Sequence, residues 1–276
     1  MKRQRIYRIQ SIIDELKLNN VPFTFESTSL TTTITTQEQK YYELQSATIL
    51  NKFELQLIKK TQADAAALDM DIFPTYTSKD IAYINKANIK RGETLKGEFI
   101  EIDLTAAYWN VAFLNNIISE NTYLYANNPK ISKKARLIAL GTLAKVTNTI
   151  QYDGHKYVGR PVEMEAPTAK LFYLCCKDVA DFMQHLGREA GSDFIFYWVD
   201  AIFLKKGEAS RYAEHYLKLL HADLIKENPI FNKKFYSIYN CQKIRRNKNK
   251  YVVYSTDHKT NVREFNFQKT KKPILL

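Results

Sequence analysis

The chain has 276 residues, 45% hydrophobic and 25% charged, with only 8 Gly and 7 Pro. Its 18 Tyr and 15 Phe argue against long disordered stretches, because so much aromatic surface has to be buried. A formal net charge of +12 favours a polyanionic partner. No apolar run approaches the roughly 20 residues of a membrane span, so no membrane partner is expected.

Ile6, Ile9, Ile12, Ile13 and Leu16 recur at helical spacing, and Asn19-Asn20 before Val21-Pro22 stops that helix. The segment is basic but lacks the apolar stretch and cleavage site of a signal peptide. The Thr-rich alternation of residues 22–36 suggests one strand or a hairpin. From Gln37 to about Ala66 the apolar positions suit helices, and residues 71–87 read as a loop with a short helix. Phe99, Glu101 and Asp103 alternate with Ile100, Ile102 and Leu104 in a strand that runs straight into a helix with Thr105 near its start. A second helix follows, capped by Ser132, with Lys133, Lys134 and Arg136 in its first turns. Asp153-Gly154 marks a hairpin. Residues 166–191 form a long helix ended by glycine. A hairpin turning near Val199-Asp200 comes next, then another helix, then a β-rich end from Phe235. This order fits an α+β fold, an antiparallel sheet with helices packed on one face.

Two acids carry the chemistry. Asp103 ends an apolar strand and Asp200 sits in the turn of an apolar hairpin. If strand and hairpin are sheet neighbours, both carboxylates emerge at one edge, where they can hold two divalent ions about 3.5–4 Å apart for phosphoryl transfer. Magnesium suits such oxygen ligands combined with substrate phosphates. Each aspartate also has an ordinary use, Asp103 as a helix cap and Asp200 as a turn residue.

Asp103-Leu-Thr-Ala-Ala-Tyr108-Trp-Asn resembles the first palm motif of family B DNA polymerases, Asp-x-x-Ser-Leu-Tyr-Pro-Ser. Phe196-Tyr-Trp-Val-Asp200-Ala-Ile-Phe203 is similar to the third, Tyr-Gly-Asp-Thr-Asp-Ser-Ile-Phe. Lys133 to Gly141 has the lysine-to-glycine spacing of the second. The resemblance runs from about Gly97 to about Asn228, with the three motifs in order. It implies a palm-like fold with a ferredoxin-like core, and metal-dependent addition of deoxynucleotides to a primer terminus on DNA. Asp103, Asp200 and the Leu104 carbonyl would hold Mg²⁺ or Mn²⁺. Tyr108 would lie beneath the sugar of the dNTP and exclude a 2′-hydroxyl, and Lys133, Lys134 and Arg136 would bind the triphosphate. Trp198 replaces the first aspartate of the third motif and Ala201 its serine. Leu137, Ile138 and Leu140 replace the Asn, Ser and Tyr of the second. The short interval from Asp103 to Lys133 leaves little room for fingers, and little chain follows for a thumb. A second protein supplying those parts is therefore expected, and a compact phage or mobile-element enzyme is the implied setting.

The end of the chain has its own reading. Lys233, Lys234, Lys243, Arg245, Arg246, Lys248 and Lys250 interleave with aromatics including Tyr236, the ingredients of a nucleic-acid groove. Lys233-Lys234-Phe235-Tyr236 is similar to the Lys-Lys-x-Tyr element that follows polymerase palms. The three cysteines, Cys175, Cys176 and Cys241, lack metal-ligand spacing and read as small hydrophobes in a reducing cytoplasm. His155, His185, His215, His221 and His258 show no zinc pattern, and no phosphate-binding glycine loop is present. The expected divisions are 1–95, a helical and hairpin region; 96–230, a palm-like core; and 231–276, a basic β-rich extension. Two rival readings stay open. One is a palm-derived nucleic-acid-binding subunit without catalysis; the other is a two-metal nuclease, for which Glu101 and Asp193 are the candidate extra carboxylates.

Overall fold

A computed structural model describes residues 2–6, 8–28, 31–44, 50–85, 89–154, 156–231, 233–248 and 250–266. In chain order the strands are β1 (Lys2–Arg5), β2 (Phe23–Ser27), β3 (Thr31–Thr35), β4 (Gln39–Leu44), β5 (Ile84–Asn85), β6 (Thr94–Leu104), β7 (Val146–Asp153), β8 (Lys156–Glu165), β9 (Phe194–Trp198), β10 (Ala201–Lys205), β11 (Tyr236–Arg246), β12 (Lys250–Ser255) and β13 (Val262–Asn266). The α-helices are α1 (Ile9–Leu18), α2 (Lys52–Ala66), α3 (Ala107–Leu114), α4 (Glu120–Tyr125), α5 (Lys133–Gly141), α6 (Ala169–Glu189) and α7 (Glu208–Glu227). The fold is α+β, with two sheets built mainly from antiparallel pairs.

Contacts group the chain into two units, and the chain crosses between them more than once. The first draws on Met1–Ile72 and Asn128–Phe172, the second on Phe73–Asn127 and Tyr173–Ile274. The expected divisions at 95 and 230 follow chain continuity, whereas these groups follow contact.

The first unit holds the sheet β1-β4-β3-β2-β7-β8, in which only the β1–β4 pair is parallel. Helix α1 packs its apolar stripe on this sheet, where Ile13, Phe23 and Ile34 form a small core against Ile9, Ile12 and Leu16. The Thr-rich segment forms the hairpin β2–β3, with Phe25 opposite Ile34. The helix expected from Gln37 onward does not begin there. Gln39–Leu44 is strand β4, and the helix begins only at Lys52. Tyr41, Tyr42 and Leu44 satisfy a strand as well as a helix, and pairing of β4 with β3 and β1 decides between them.

The second unit is built on the sheet β13-β12-β11-β6-β10-β9-β5. One face of β6 presents Ile100, Ile102 and Leu104, which pack with Val179, Met183 and Leu186 of α6 and with Ala213 and Leu217 of α7. The other face carries Phe99 into a second core with Phe196, Phe203, Tyr251 and Val253. Phe196 on β9 stacks on Tyr251 on β12 with ring centroids 3.9 Å apart. Those strands are four places apart in the sheet, roughly 19 Å if it were flat. The sheet therefore curls, and Phe265 on the edge strand β13 closes against Phe203 and Trp198.

Both faces of β6 being filled fixes its register. Slipping by one residue would turn Asp103 into the helix-side core and expel Ile102, which is fully buried. Each such aliphatic side chain contributes about 1.5–3 kcal/mol by its burial, so the strand is held where it places its terminal acid at the edge.

Candidate functional site

Asp103 and Asp200 come together where β6 and the β9–β10 hairpin end. β10 pairs antiparallel with β6, with Ala201 opposite Asp103. The Leu104 N–H donates to the Asp200 carbonyl at 2.9 Å. On the other side of β6, β11 sets Ser237 opposite Asp103 and Tyr236 opposite Leu104. Asp103 thus lies between two small cross-strand neighbours, Ala201 and Ser237. Both aspartates are half-buried.

Main-chain bonds hold the corner from both sides. The Thr105 N–H donates to the Phe235 carbonyl at 2.6 Å and the Val199 N–H to the Tyr83 carbonyl at 2.7 Å. Two residues there adopt left-handed backbone with no help from their side chains: Ala106 at φ 53° and Val199 at φ 58°. Outside Gly, Asn and Asp this conformation costs roughly 1–2 kcal/mol, and for a β-branched residue such as Val it is an outlier. Ala106, not Asp103, occupies the N-cap position of α3, and it makes no side-chain cap.

Tyr108 stands on the first turn of α3. Burial is the main cause that pushes its hydroxyl well above the ordinary range, followed by the neighbouring Cys176 thiol and then the Asp200 carboxylate. The phenol therefore stays protonated, within electrostatic reach of the Asp200 carboxylate. Cys176 itself is pushed up to about 12 by burial. All three cysteines are buried free thiols.

Two carboxylates and nearby backbone oxygens are hard donors of the kind magnesium or manganese accepts, with phosphates and water completing the shell. Among the described residues no group of three or more His, Cys, Asp or Glu is placed to hold a metal ion. The carboxylates of a site here would be Asp103 and Asp200, and one or two carboxylates per ion is usual for magnesium at phosphate sites.

Glu101 shares the strand face of Asp103 but is committed elsewhere. It is completely buried and forms a two-pronged ion pair with Arg263 of β13, whose guanidinium lies between Tyr239 and Phe265. Asp193 precedes β9 at the end opposite the Asp200 turn. Neither is positioned as a further ligand, which removes the support for a nuclease reading.

The basic residues separate into distinct groups. Lys133, Lys134 and Arg136 belong to α5 in the first unit, the lysines exposed and the arginine half-buried. The start of that helix already has an anion. Glu54 accepts from the Ser132 N–H at 3.2 Å and from its hydroxyl at 2.7 Å. Near the chain end, Lys233, Lys234, Arg245 and Lys248 are exposed. Lys243 lies over the Tyr254 ring, Arg246 donates to the Ile89 carbonyl and Lys250 pairs with Glu264 at 2.6 Å. Tyr236 is 2% exposed within the helix-side core, with the Lys234 ammonium 4.2 Å over its ring. Its ring is a core side chain and has no face left to stack on a base. His155 lies outside the described residues.

No helix among the described residues is long and apolar enough to cross a membrane. Compared with known protein families and with curated proteins, the chain matches none.

Proposed function

We propose that the chain is a metal-dependent nucleotidyltransferase of the family B polymerase palm type, adding deoxynucleotides to a primer terminus on DNA. The observation that carries this is the placing of Asp103, near the end of β6, beside Asp200 in the adjoining β9–β10 turn, one residue from a direct cross-strand pair. The motif order read from the sequence supports it, as does the place of Tyr108 on the first turn of α3, within electrostatic reach of Asp200.

In this reading Asp103, Asp200 and the Leu104 carbonyl hold Mg²⁺ or Mn²⁺. The ions would supply charge neutralisation for the triphosphate and acidify the primer hydroxyl. The chain's own residues set the geometry. The cross-strand neighbours of Asp103, Ala201 and Ser237, are both small, and Tyr108 stands on the first turn of the helix that follows β6. The primer 3′-oxygen forms the new ester bond to the α-phosphorus, and pyrophosphate leaves.

Extension of a labelled primer-template with dNTPs and Mg²⁺ or Mn²⁺ tests the proposal. Asp103→Asn and Asp200→Asn should each lower the rate by about 100-fold or more, corresponding to about 3 kcal/mol of lost charge stabilisation. Extension that persists in both variants would sink the proposal. The second reading, a nucleic-acid-binding subunit without catalysis, is favoured by one observation: Trp198 stands where the motif has its first aspartate, leaving two carboxylates at the corner. No extension by the native chain, with DNA binding equal in native and variant proteins, would select it.

A further inference from the structure

A pocket of about 280 Å³ opens on the helix side of the second unit. Its walls are Val111 and Leu114 of α3, Val179 and Phe182 of α6, and Leu220 and Leu224 of α7. Leu104, the residue after Asp103, also lines it. The lining is almost wholly apolar, and the volume sits just below the range of ordinary small-molecule sites.

One ionisable group lines this pocket. Asp178 projects from α6, and its Oδ2 accepts a hydrogen bond from Asn115 Nδ2 at 2.7 Å. Among the described residues no cation forms an ion pair with it. The adjacent Lys177 pairs instead with Asp181 one turn on. Burial pushes the Asp178 carboxyl up, the Asn115 amide pulls it back, and Asp181 and Lys177 act in opposite senses. Asp178 is half-buried, and a carboxylate partly withdrawn from water among aliphatic and aromatic side chains gains from a cationic partner. The other polar side chain lining the pocket, Asn110, is already engaged, donating to the Thr105 carbonyl and accepting from Tyr123. The pocket thus offers apolar walls, one anionic acceptor and no cationic group.

We propose that this pocket binds a small apolar molecule carrying a single ammonium group, with the ammonium at Asp178 and the hydrocarbon against α3, α6 and α7. The pocket shares Leu104 with the aspartate corner, but its ammonium site is Asp178 and does not depend on the polymerase reading. A cation at Asp178 supplies the missing counter-ion, and the walls gain from hydrocarbon burial.

Three probes of equal length decide it: n-hexylamine, n-hexanol and n-hexanoate, titrated calorimetrically into the full chain at neutral pH. Hexylamine should bind with one-to-one stoichiometry, at least tenfold tighter than hexanol, and hexanoate weakest of all. Asp178→Asn should erase the preference for amine over alcohol, and Val111→Trp, which fills the pocket, should abolish binding of all three. Should either variant fail to fold, the ranking on the native chain still decides. Hexanoate binding as well as hexylamine, or no binding by any probe, would overturn the proposal.

Discussion

Ala106 and Val199 bracket the aspartate corner with left-handed backbone that neither side chain favours. Tertiary hydrogen bonds from the Val199 and Thr105 N–H groups to the Tyr83 and Phe235 carbonyls hold the adjoining chain in place. Glycine relieves the clash at such a position, at the cost of greater freedom in the unfolded chain. At Ala106 little side-chain burial is lost, so relief wins. Ala106→Gly should raise stability by up to about 1 kcal/mol, or ~2–4 °C in melting temperature. A lower melting temperature would mean that the corner is not strained. Glu101 is the opposite case, a buried charge whose whole compensation is Arg263 and its neighbours. Arg263→Met should destabilise by about 3–5 kcal/mol, because it strands a carboxylate inside the curl. Replacing both, Glu101→Gln with Arg263→Met, should recover most of that loss in urea unfolding. If the double variant is no more stable than the single one, the charge is not what matters.

Helices α2 and α5 begin on the same carboxylate. Asn51 caps α2 by accepting from the Phe53 and Glu54 N–H groups, and Glu54 reaches back to the Asn51 N–H at 3.0 Å. The other oxygen of Glu54 takes the Ser132 hydroxyl, whose own oxygen caps α5 by accepting from the Ala135 N–H. Hydrogen bonds from the Ser132 hydroxyl first, then from the Asn51 backbone, hold the Glu54 carboxyl below its usual 4.5. A depressed value in the fold stabilises above the unfolded value and loses that contribution as pH falls through the folded one. Glu54→Gln should therefore cost about 1 kcal/mol at pH 7, with the gap to the native chain closing below pH 4.5. An equal gap at both pH values would show that the charge plays no part. The caps at Ser132 and the β6 alternation were legible in the sequence because each is local chemistry. Strand β4 was not, because six residues holding two tyrosines and a leucine fit either period until β3 and β1 pair with them. The corner was legible only in part. Asp103 and Asp200 stand out as acids at the ends of apolar strands, but nothing in Ala or Val announces a left-handed backbone. Nor does Lys-Lys-Phe-Tyr betray that Tyr236 turns inward beside Leu104.

The whole molecule carries +12, yet its cations are not equivalent. A reading along the chain treats residues 233–250 as one basic run, whereas strand pairing divides it. Arg245 and Lys248 are exposed, while Arg246 and Lys250 are spent on Ile89 and Glu264. Binding to DNA releases counter-ions, and the logarithm of affinity falls with the logarithm of salt by about 0.9 for each phosphate neutralised. If the exposed side chains make phosphate contacts, Arg245→Ala and Lys248→Ala should each reduce that slope by roughly 1 while leaving the melting temperature unchanged. Arg246→Ala should do the reverse, lowering stability and leaving the slope within error. Fluorescence anisotropy on a single-stranded and a primed oligonucleotide across a salt series supplies the slopes. Equal effects from all three substitutions would mean that the positive charge acts as a diffuse field, and the chain end would then not be a built groove.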